Sequence, residues 1–102
     1  MITKKGDFKS ISTAQFRSLI AENNIQLLDV RTPEEFELHK IEGAILIDFY
    51  NADFEKQVDA QLNVSIPVAI YCRSGARSVD AGLLLKEKGF RIYNLKEGII
   101  SW

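Results

Sequence analysis

A single cysteine, Cys72, stands at the end of an apolar run and opens a short segment rich in arginine, serine and glycine. A thiol is a strong nucleophile only as the thiolate, and a helix N-terminus and nearby guanidinium groups both stabilise that anion. A helical pattern follows the segment, which reads Cys72-Arg73-Ser74-Gly75-Ala76-Arg77-Ser78. We therefore predict nucleophilic chemistry, with Cys72 as a reactive thiolate inside an anion-binding loop.

The residues after the cysteine supply the groups that such a loop needs. Gly75 permits a positive φ, so that successive backbone N–H groups can point to one side and bind negative charge. The helix that begins near Ala76 adds its positive end. The two arginines add full charges, and the two serines add hydroxyl donors. Cys72 is the candidate catalytic residue, and the candidate substrate-binding residues are the six that follow it: Arg73, Ser74, Gly75, Ala76, Arg77 and Ser78.

Several of these charged and reactive residues also have a purely structural interpretation. Free cysteine is among the most buried residue types, but the arginines and the glycine after Cys72 favour the reactive interpretation. Arg77, in the first turn of a helix, could instead pair with an acid such as Asp29 or Glu34, and both roles stay open. For Asp29 and Arg31, which flank a strand end, we favour a structural ion pair over a catalytic role.

The composition limits the class of protein. A chain of 102 residues with 46% hydrophobic residues can form one domain with its own core, so residues 1–102 are taken as a single domain. The 13 basic and 14 acidic residues give a net charge of −1, which argues against nucleic-acid binding. No apolar run approaches the ~20 residues that would cross a membrane, and the first six residues do not resemble a signal peptide.

One cysteine and one histidine exclude several kinds of site. A lone cysteine forms no internal disulfide and no Cys-x-x-Cys redox pair. One cysteine with one histidine is too few for a four-ligand structural zinc site, and we expect no metal or cofactor. A free reactive thiol survives best among cellular reductants, so we expect a cytoplasmic protein. A monomer is the expected oligomeric state.

Apolar runs alternate with helical patterns along the whole chain. Ser12 with Gln15, and Thr32 with Glu35, form capping boxes that start helices. Hydrophobic periodicity and turn residues predict four strands and five helical segments. The strands are predicted over residues 26–30, 44–47, 67–71 and 91–95. The helical segments are predicted over residues 13–22, from residue 32 onward, and over 53–62, 76–88 and 98–102.

This alternation predicts an α/β fold, a single domain with a mostly parallel central β-sheet flanked by helices on both faces. In the helix over residues 76–88 we expect Val79, Leu83 and Leu84 to face inward and Gly89 to end the helix. Ligands of such sheets bind beyond the carboxyl ends of the strands. Cys72 lies at such an end.

Together with its surroundings, the cysteine loop resembles the active-site loop of rhodanese-like domains. Residues 28–36 resemble the Asp-Val-Arg segment of that family, and residues 41–45 resemble the end of its Gly-His-Ile-Pro-Gly-Ala motif. Glu97-Gly98 with Trp102 resembles its closing Gly-Gly…Trp. These blocks follow the order of the family and cover nearly the whole chain, so that together they are highly specific.

The resemblance implies a single-domain sulfurtransferase. Cys72 would take a sulfane sulfur from a donor such as thiosulfate, become a persulfide, and pass the outer sulfur to a thiophilic acceptor. The persulfide is also an anion, so one loop would stabilise both halves of a ping-pong cycle. The implied partner is a small sulfur-containing anion, and a protein donor or acceptor fits as well.

The sequence departs from the motifs of the family at four positions. Lys40 stands where the family usually has His, His39 where it has Gly, and Glu42 where it has Pro. Glu97 replaces the first Gly of the closing motif. We expect His39 to be a surface or turn residue, which leaves activation of the thiolate to the loop and the helix.

Three other functions are weighed against sulfur transfer. A non-catalytic or regulatory binding module of the same fold is the main alternative. Cysteine phosphatases also use a Cys-to-Arg loop, but only four residues separate Cys72 from Arg77, one fewer than in those enzymes, and the smaller loop suits one sulfur atom better than a phosphoryl group. Arsenate reduction is disfavoured because the chain has no second thiol.

Overall fold

A parallel β-sheet forms the centre of the computed structural model, which describes residues 6–102. Its five strands run in the order β1-β5-β4-β2-β3, and all neighbouring strands pair in parallel. The central strand is β4, so its carboxyl end, which Cys72 follows, lies in the middle of the sheet. The strands are β1 (Asp7–Ile11), β2 (Gln26–Asp29), β3 (Ile45–Leu46), β4 (Val68–Tyr71) and β5 (Arg91–Leu95).

The helices lie where the capping and periodicity signals place them, with ends within two residues of the predicted ones. Both capping boxes form, with the Ser12 and Thr32 side chains each accepting the backbone N–H three residues later. The elements are α1 (Thr13–Ile20), α2 (Pro33–Leu38), α3 (Phe54–Gln61), α4 (Ala76–Glu87) and a C-terminal 3₁₀ turn (Ile99–Ser101). The fold class predicted from the sequence is therefore confirmed.

Gly89 ends α4 as predicted. Its φ is +100°, and its N–H donates to the carbonyl of Lys86 at 3.0 Å. The N–H of Phe90 donates to the carbonyl of Leu85 at 3.1 Å. These two bonds satisfy the last carbonyls of the helix and turn the chain directly into β5.

The first strand was missed. β1 is an edge strand that pairs only with β5, and most of its residues face solvent, with Ile11 buried and Phe8 half-buried. Such a strand carries little of the apolar signal that identifies strands in a sequence. A signal peptide was not expected at the start of the chain. Residues 1–5 of that segment lie outside the described residues.

Helices cover both faces of the sheet because alternate residues of β4 point to opposite sides. Val68, Ile70 and Cys72 pack with the buried side chains of α3 and α4. Ala69 and Tyr71 pack on the other side with α1 and the C-terminal 3₁₀ turn. Cys72 thus points toward the face that carries α4.

The inward face of α4 differs from the prediction. Leu83 is 43% exposed, and Val79 and Leu84 are only half-buried. A Cβ added to Gly82 would lie 2.6 Å from the ring of Phe8, so the missing side chain lets the helix lie close to the sheet. Apolar periodicity cannot reveal such a face because its buried residues are mostly small: Ser78, Ala81, Gly82 and Leu85.

Candidate active site

The sulfur of Cys72 lies beneath the loop that joins β4 to α4. The backbone N–H of Gly75 donates to Sγ, with an N···S distance of 3.1 Å. The predicted positive φ of Gly75 is present, at +103°, and aims this N–H back at the sulfur. Hydrogen bonds to an ionised acceptor are stronger than those to a neutral one. This N–H is therefore placed to stabilise negative charge on Sγ.

The N-terminus of α4 faces the same loop. Gly75 is its N-cap residue, and no side chain caps this helix end. The first N–H groups of a helix have no partner within the helix. They are therefore available to an anion that enters the loop, in line with the positive end of the helix dipole.

Cys72 is nearly inaccessible, with 1% of its surface exposed. Arg73, Ser74 and Ala76 form the outer surface of the loop, whereas Gly75 is buried. A donor molecule can reach Sγ only when part of this loop moves. The geometry thus combines the feature of a reactive thiol, an N–H aimed at sulfur, with the burial expected of a core cysteine.

Residues 96–100 hold the loop from the outside, and we call them the C-terminal strap. The N–H of Ile99 donates to the carbonyl of Cys72 at 3.0 Å, and the N–H of Ile100 donates to the carbonyl of Arg73 at 3.2 Å. Gly98 makes this approach possible, since an added Cβ would lie 2.2 Å from the carbonyl oxygen of Arg73. The loop can therefore move only if the hydrogen bonds from the strap break.

We expect Gly98→Ala to lower the free energy of unfolding by about 3 kcal/mol. Its φ of +74° and the close carbonyl both oppose a side chain. Gly43→Ala is the matched control, because Gly43 also has a positive φ, +88°, but nothing within 4 Å of its added Cβ. Urea unfolding followed by circular dichroism measures the free energy of unfolding of both variants. Equal destabilisation of the two variants would contradict the close packing of strap and loop.

Arg77 forms a paired ion bridge with Glu35 of α2. The two guanidinium nitrogens donate to the two carboxylate oxygens at 2.8 and 2.9 Å, and the ring of Tyr50 lies 5.5 Å from the guanidinium carbon. The structural interpretation of Arg77 is therefore realised, but with Glu35 and not with the suggested Asp29 or Glu34. Its role in substrate binding stays a prediction.

The ion pair changes the protonation of both groups. The hydrogen bonds from Arg77, which outweigh the opposing effect of burial, lower the pKa of Glu35 to about 2. The hydrogen bonds to Glu35 raise the pKa of Arg77 above its ordinary value. Both groups stay ionised at neutral pH and tie the start of α2 to the start of α4.

We expect Glu35→Gln to destabilise the protein at pH 7 by about 2 kcal/mol, because it breaks a charge-assisted bond. A depressed folded-state pKa stabilises above the unfolded-state pKa, so this contribution should be lost as the pH falls from about 4.5 through about 2. Chemical unfolding at a series of pH values measures it. Glu34→Gln, on the exposed side of the same turn, is the control. If both variants lose stability with acid as steeply as the parent protein, the ion pair does not contribute.

Asp29 and Arg31 form a buried ion pair behind the loop. The guanidinium of Arg31 donates to both carboxylate oxygens of Asp29 at 2.7–3.1 Å and to the carbonyl of His39 at 2.5 Å. Burial opposes the charge of Arg31, but the hydrogen bonds and charge of Asp29 leave its pKa raised. The structural role predicted for the pair fits these bonds, and the side chain of His39 is exposed, as expected.

Tyr71 contacts the buried ion pair of Asp29 and Arg31 and directly precedes Cys72 in the chain. Its hydroxyl accepts the backbone N–H of Ile41 at 3.1 Å, and its ring lies 5.5 Å from the guanidinium carbon of Arg31. Burial raises the pKa of Tyr71, so the hydroxyl stays neutral. The residue before Cys72 thus anchors the segment between α2 and β3.

The predicted site residues divide into two groups. Cys72 and Gly75 come together through the bond from the Gly75 N–H to Sγ at the start of α4. Ser78 does not offer its hydroxyl proton to a ligand, because it is buried and donates to the carbonyl of Gly75 at 3.2 Å. Arg73 and Ser74 lie on the outer surface. Glu35 and the strap were missed, although the capping box of Glu35 was visible in the sequence.

A cavity of about 200 Å³ opens beside Arg73, between α2 and the strap. The charges of two residues in its wall are already neutralised, Arg31 by Asp29 and Glu35 by Arg77. The cavity wall includes Arg31, Glu35, Leu38, His39, Arg73, Ile99 and Ile100.

Among residues 6–102, no group of His, Cys, Asp and Glu side chains is arranged to hold a metal ion. No helix in that range has the length and apolarity needed to span a membrane.

Comparison with known proteins gives relatives that cover most of the chain. Thiosulfate sulfurtransferase 18 of Arabidopsis thaliana is 30% identical over 98% of this chain and 82% of its own length. A sulfurtransferase of Allochromatium vinosum is 38% identical over 78% of this chain and 72% of its own length. A tRNA uridine(34) hydroxylase of Chlamydia abortus is 32% identical, but this chain spans only 31% of it.

The solved structures and the family models agree with these relatives. A rhodanese-related protein from Thermoplasma volcanium superposes with a TM-score of 0.81 at 29% identity, covering 92% of this chain and 89% of the other. The model of the rhodanese-like domain matches residues 12–102. The matched residues include all four motif blocks, one of which is the cysteine loop, and the whole strap. By sequence and by fold, this chain belongs to the rhodanese-like domain family.

Proposed function

We propose that the protein is a sulfurtransferase that carries a sulfane sulfur from a donor such as thiosulfate to a thiophilic acceptor, through a persulfide on Cys72. The observation that supports it most is the N–H of Gly75 aimed at Sγ at the start of α4. Two relatives named as sulfurtransferases match most of the chain. The cytoplasmic location and the monomeric state stay predictions.

The proposed reaction is two displacements at sulfur. The Cys72 thiolate attacks the outer sulfur of thiosulfate, a new S–S bond forms, and the old bond breaks with its electron pair leaving on sulfite. An acceptor nucleophile then attacks the outer sulfur of the persulfide, and Cys72 leaves as the thiolate. Each step conserves charge and electrons, so no external oxidant or reductant is needed.

The loop would serve both steps. The negative charge lies on Sγ before the first attack and on the outer sulfur of the persulfide after it. The N–H of Gly75 and the uncapped start of α4 face this region and would stabilise the charge without rearrangement. Arg73, exposed on the outer surface of the loop, would attract the anionic donor.

A binding module without catalysis is the second candidate. The observation that favours it is the 1% exposure of Cys72, since a thiol that never meets solvent forms no persulfide. The hydrogen bonds from the strap also favour the binding module, because they hold the loop closed over Cys72. The two candidates differ in one measurable property, the reactivity of Cys72 with sulfur donors.

Intact-protein mass spectrometry after incubation with thiosulfate tests the proposal. We expect a gain of one sulfur atom that disappears on addition of cyanide, with thiocyanate released. A low-molecular-weight persulfide serves as a second donor. No gain from either donor would favour the binding module. Turnover of an aryl phosphate by the same preparation would instead indicate a phosphatase.

We expect Arg73→Ala to raise KM for thiosulfate about tenfold while kcat changes by less than about threefold. The side chain would attract the donor before reaction and would not touch the sulfur that is transferred. Steady-state thiocyanate formation at fixed cyanide measures both constants. Arg91→Ala, an exposed arginine at the opposite end of the sheet, is the control. An unchanged KM would remove Arg73 from donor binding.

A further inference from the structure

Three exposed hydrophobic side chains surround the cysteine loop. Leu38 at the end of α2 is 88% exposed, Ile100 in the strap is 64% exposed and Tyr50 is 69% exposed. The first two line the 200 Å³ cavity together with Arg73, and Tyr50 lies against Arg77. We call Leu38, Ile100 and Tyr50 the apolar rim. Exposed apolar groups that cluster around one opening are typical of a contact surface.

Within the described part of the chain, Arg73 provides the unpaired positive charge of this surface. Glu35 and Arg31 line the cavity, but their charges are held by partners inside the protein. Arg73 forms no ion pair with any of residues 6–102 and is exposed at the cavity wall. The complementary ligand is therefore apolar and carries a negative charge that can meet one guanidinium group.

A small inorganic donor can use Arg73 on this surface, but it has no use for the apolar side chains. Thiosulfate has no apolar part, and burial of the side chains of Leu38 and Ile100 would gain nothing from it. A peptide segment can cover the apolar rim and fill the cavity with a side chain. Because apolar burial is favourable in proportion to area, the rim favours a macromolecular partner over a small anion.

We propose that the apolar rim docks a segment of a partner protein that presents the acceptor cysteine, with apolar residues beside that cysteine and a carboxylate that pairs with Arg73. This inference rests on the proposed function. The thiolate of the partner attacks the outer sulfur of the Cys72 persulfide, the new S–S bond forms on the partner, and Cys72 leaves as the thiolate. The sulfur moves without any other reactant.

Discharge of the thiosulfate-loaded protein tests the docking surface. The probe is the peptide acetyl-Asp-Leu-Cys-Leu-amide, compared with peptides in which Lys replaces Asp or Ser replaces both Leu residues. We expect each changed peptide to react at least about fivefold more slowly, a difference of about 1 kcal/mol. Cyanide discharge serves as the reference for every protein variant.

Variants of the rim locate the effect on the surface. Leu38→Ser and Ile100→Ser should each lower the ratio of peptide to cyanide discharge at least about fivefold. Leu83→Ser and Val64→Ser, which replace exposed apolar residues outside the cavity wall, should leave the ratio unchanged. If the ratio is the same in all four variants, or the three peptides react alike, the docking surface does not exist although sulfur transfer stands.

A binding measurement without a thiol separates this inference from the proposed function. The peptide acetyl-Asp-Leu-Ser-Leu-amide is titrated into the protein and the backbone amide signals are followed by NMR. We expect shifts at Leu38, His39, Arg73 and Ile100. Shifts without persulfide formation would sustain the docking surface and refute sulfur transfer. Shifts at the same residues on concentrating the protein alone would show that a second copy occupies the surface, which overturns the proposal.

Discussion

Cys72→Ser should abolish sulfur transfer, with thiocyanate formation reduced at least about 10³-fold. Oxygen cannot replace sulfur in the persulfide, so no covalent intermediate forms. Serine is close to cysteine in size and can accept the N–H of Gly75, which now donates to Sγ. The fold should therefore survive, and thermal unfolding of the variant checks this. The mass gain after thiosulfate treatment should vanish together with the activity.

A relocated thiol is the control for this result. In Cys72→Ser/Ser18→Cys, the new cysteine lies on the exposed side of α1, away from the loop. A thiol without the N–H of Gly75 and the start of α4 should not restore transfer. Activity that survives in the single variant, or returns in the double variant, would show that Cys72 and its loop are not the centre of the reaction.

Arg31→Met should lower the free energy of unfolding by about 3–5 kcal/mol. The substitution leaves the carboxylate of Asp29 fully buried without its counter-charge. It also removes the donor to the carbonyl of His39. The stability of a typical domain is only about 5–15 kcal/mol, so the variant should lose a large part of its stability. Urea unfolding at pH 7 measures the loss.

Two further variants show whether the buried charge is the cause. Asp29→Asn/Arg31→Met carries no buried charge, and its amide oxygen can still accept the backbone N–H of residue 31, a bond of 2.9 Å in the parent protein. It should therefore be more stable than Arg31→Met alone. Arg91→Met breaks an exposed pair with Asp7 at 4.0 Å and should cost less than about 0.5 kcal/mol. A double variant as unstable as the single one would contradict the explanation.

The buried pair matters for the site because of where it lies. Arg31 connects the end of β2 to His39, and Tyr71 connects the end of β4 to Ile41. Cys72 follows Tyr71 directly. The ends of both strands are thus fixed to the segment after α2, which gives the cysteine loop a rigid base while the strap holds it from above.

Local features of the chain were predictable because their causes lie within a few residues. The capping boxes at Ser12 and Thr32, the positive φ of Gly75 and the end of α4 at Gly89 each depend on residue types at short, fixed spacings. The buried strands β2, β4 and β5 are apolar enough to stand out. The position of Cys72 between a strand and a helix followed from these signals alone, and so did its choice as the candidate nucleophile.

The tertiary structure decided what depends on residues far apart in the chain. β1 becomes a strand only by pairing with β5, and Gly98 meets Arg73 only after the sheet has formed. Arg77 pairs with Glu35, which lies 42 residues away in the chain. The sequence offers several acids as partners, and only the tertiary packing decides which one pairs. The burial of Cys72 under the strap has the same origin. Composition and spacing determined the fold class and the candidate reactive residue, whereas access to that residue depends on long-range backbone contacts that no local pattern encodes.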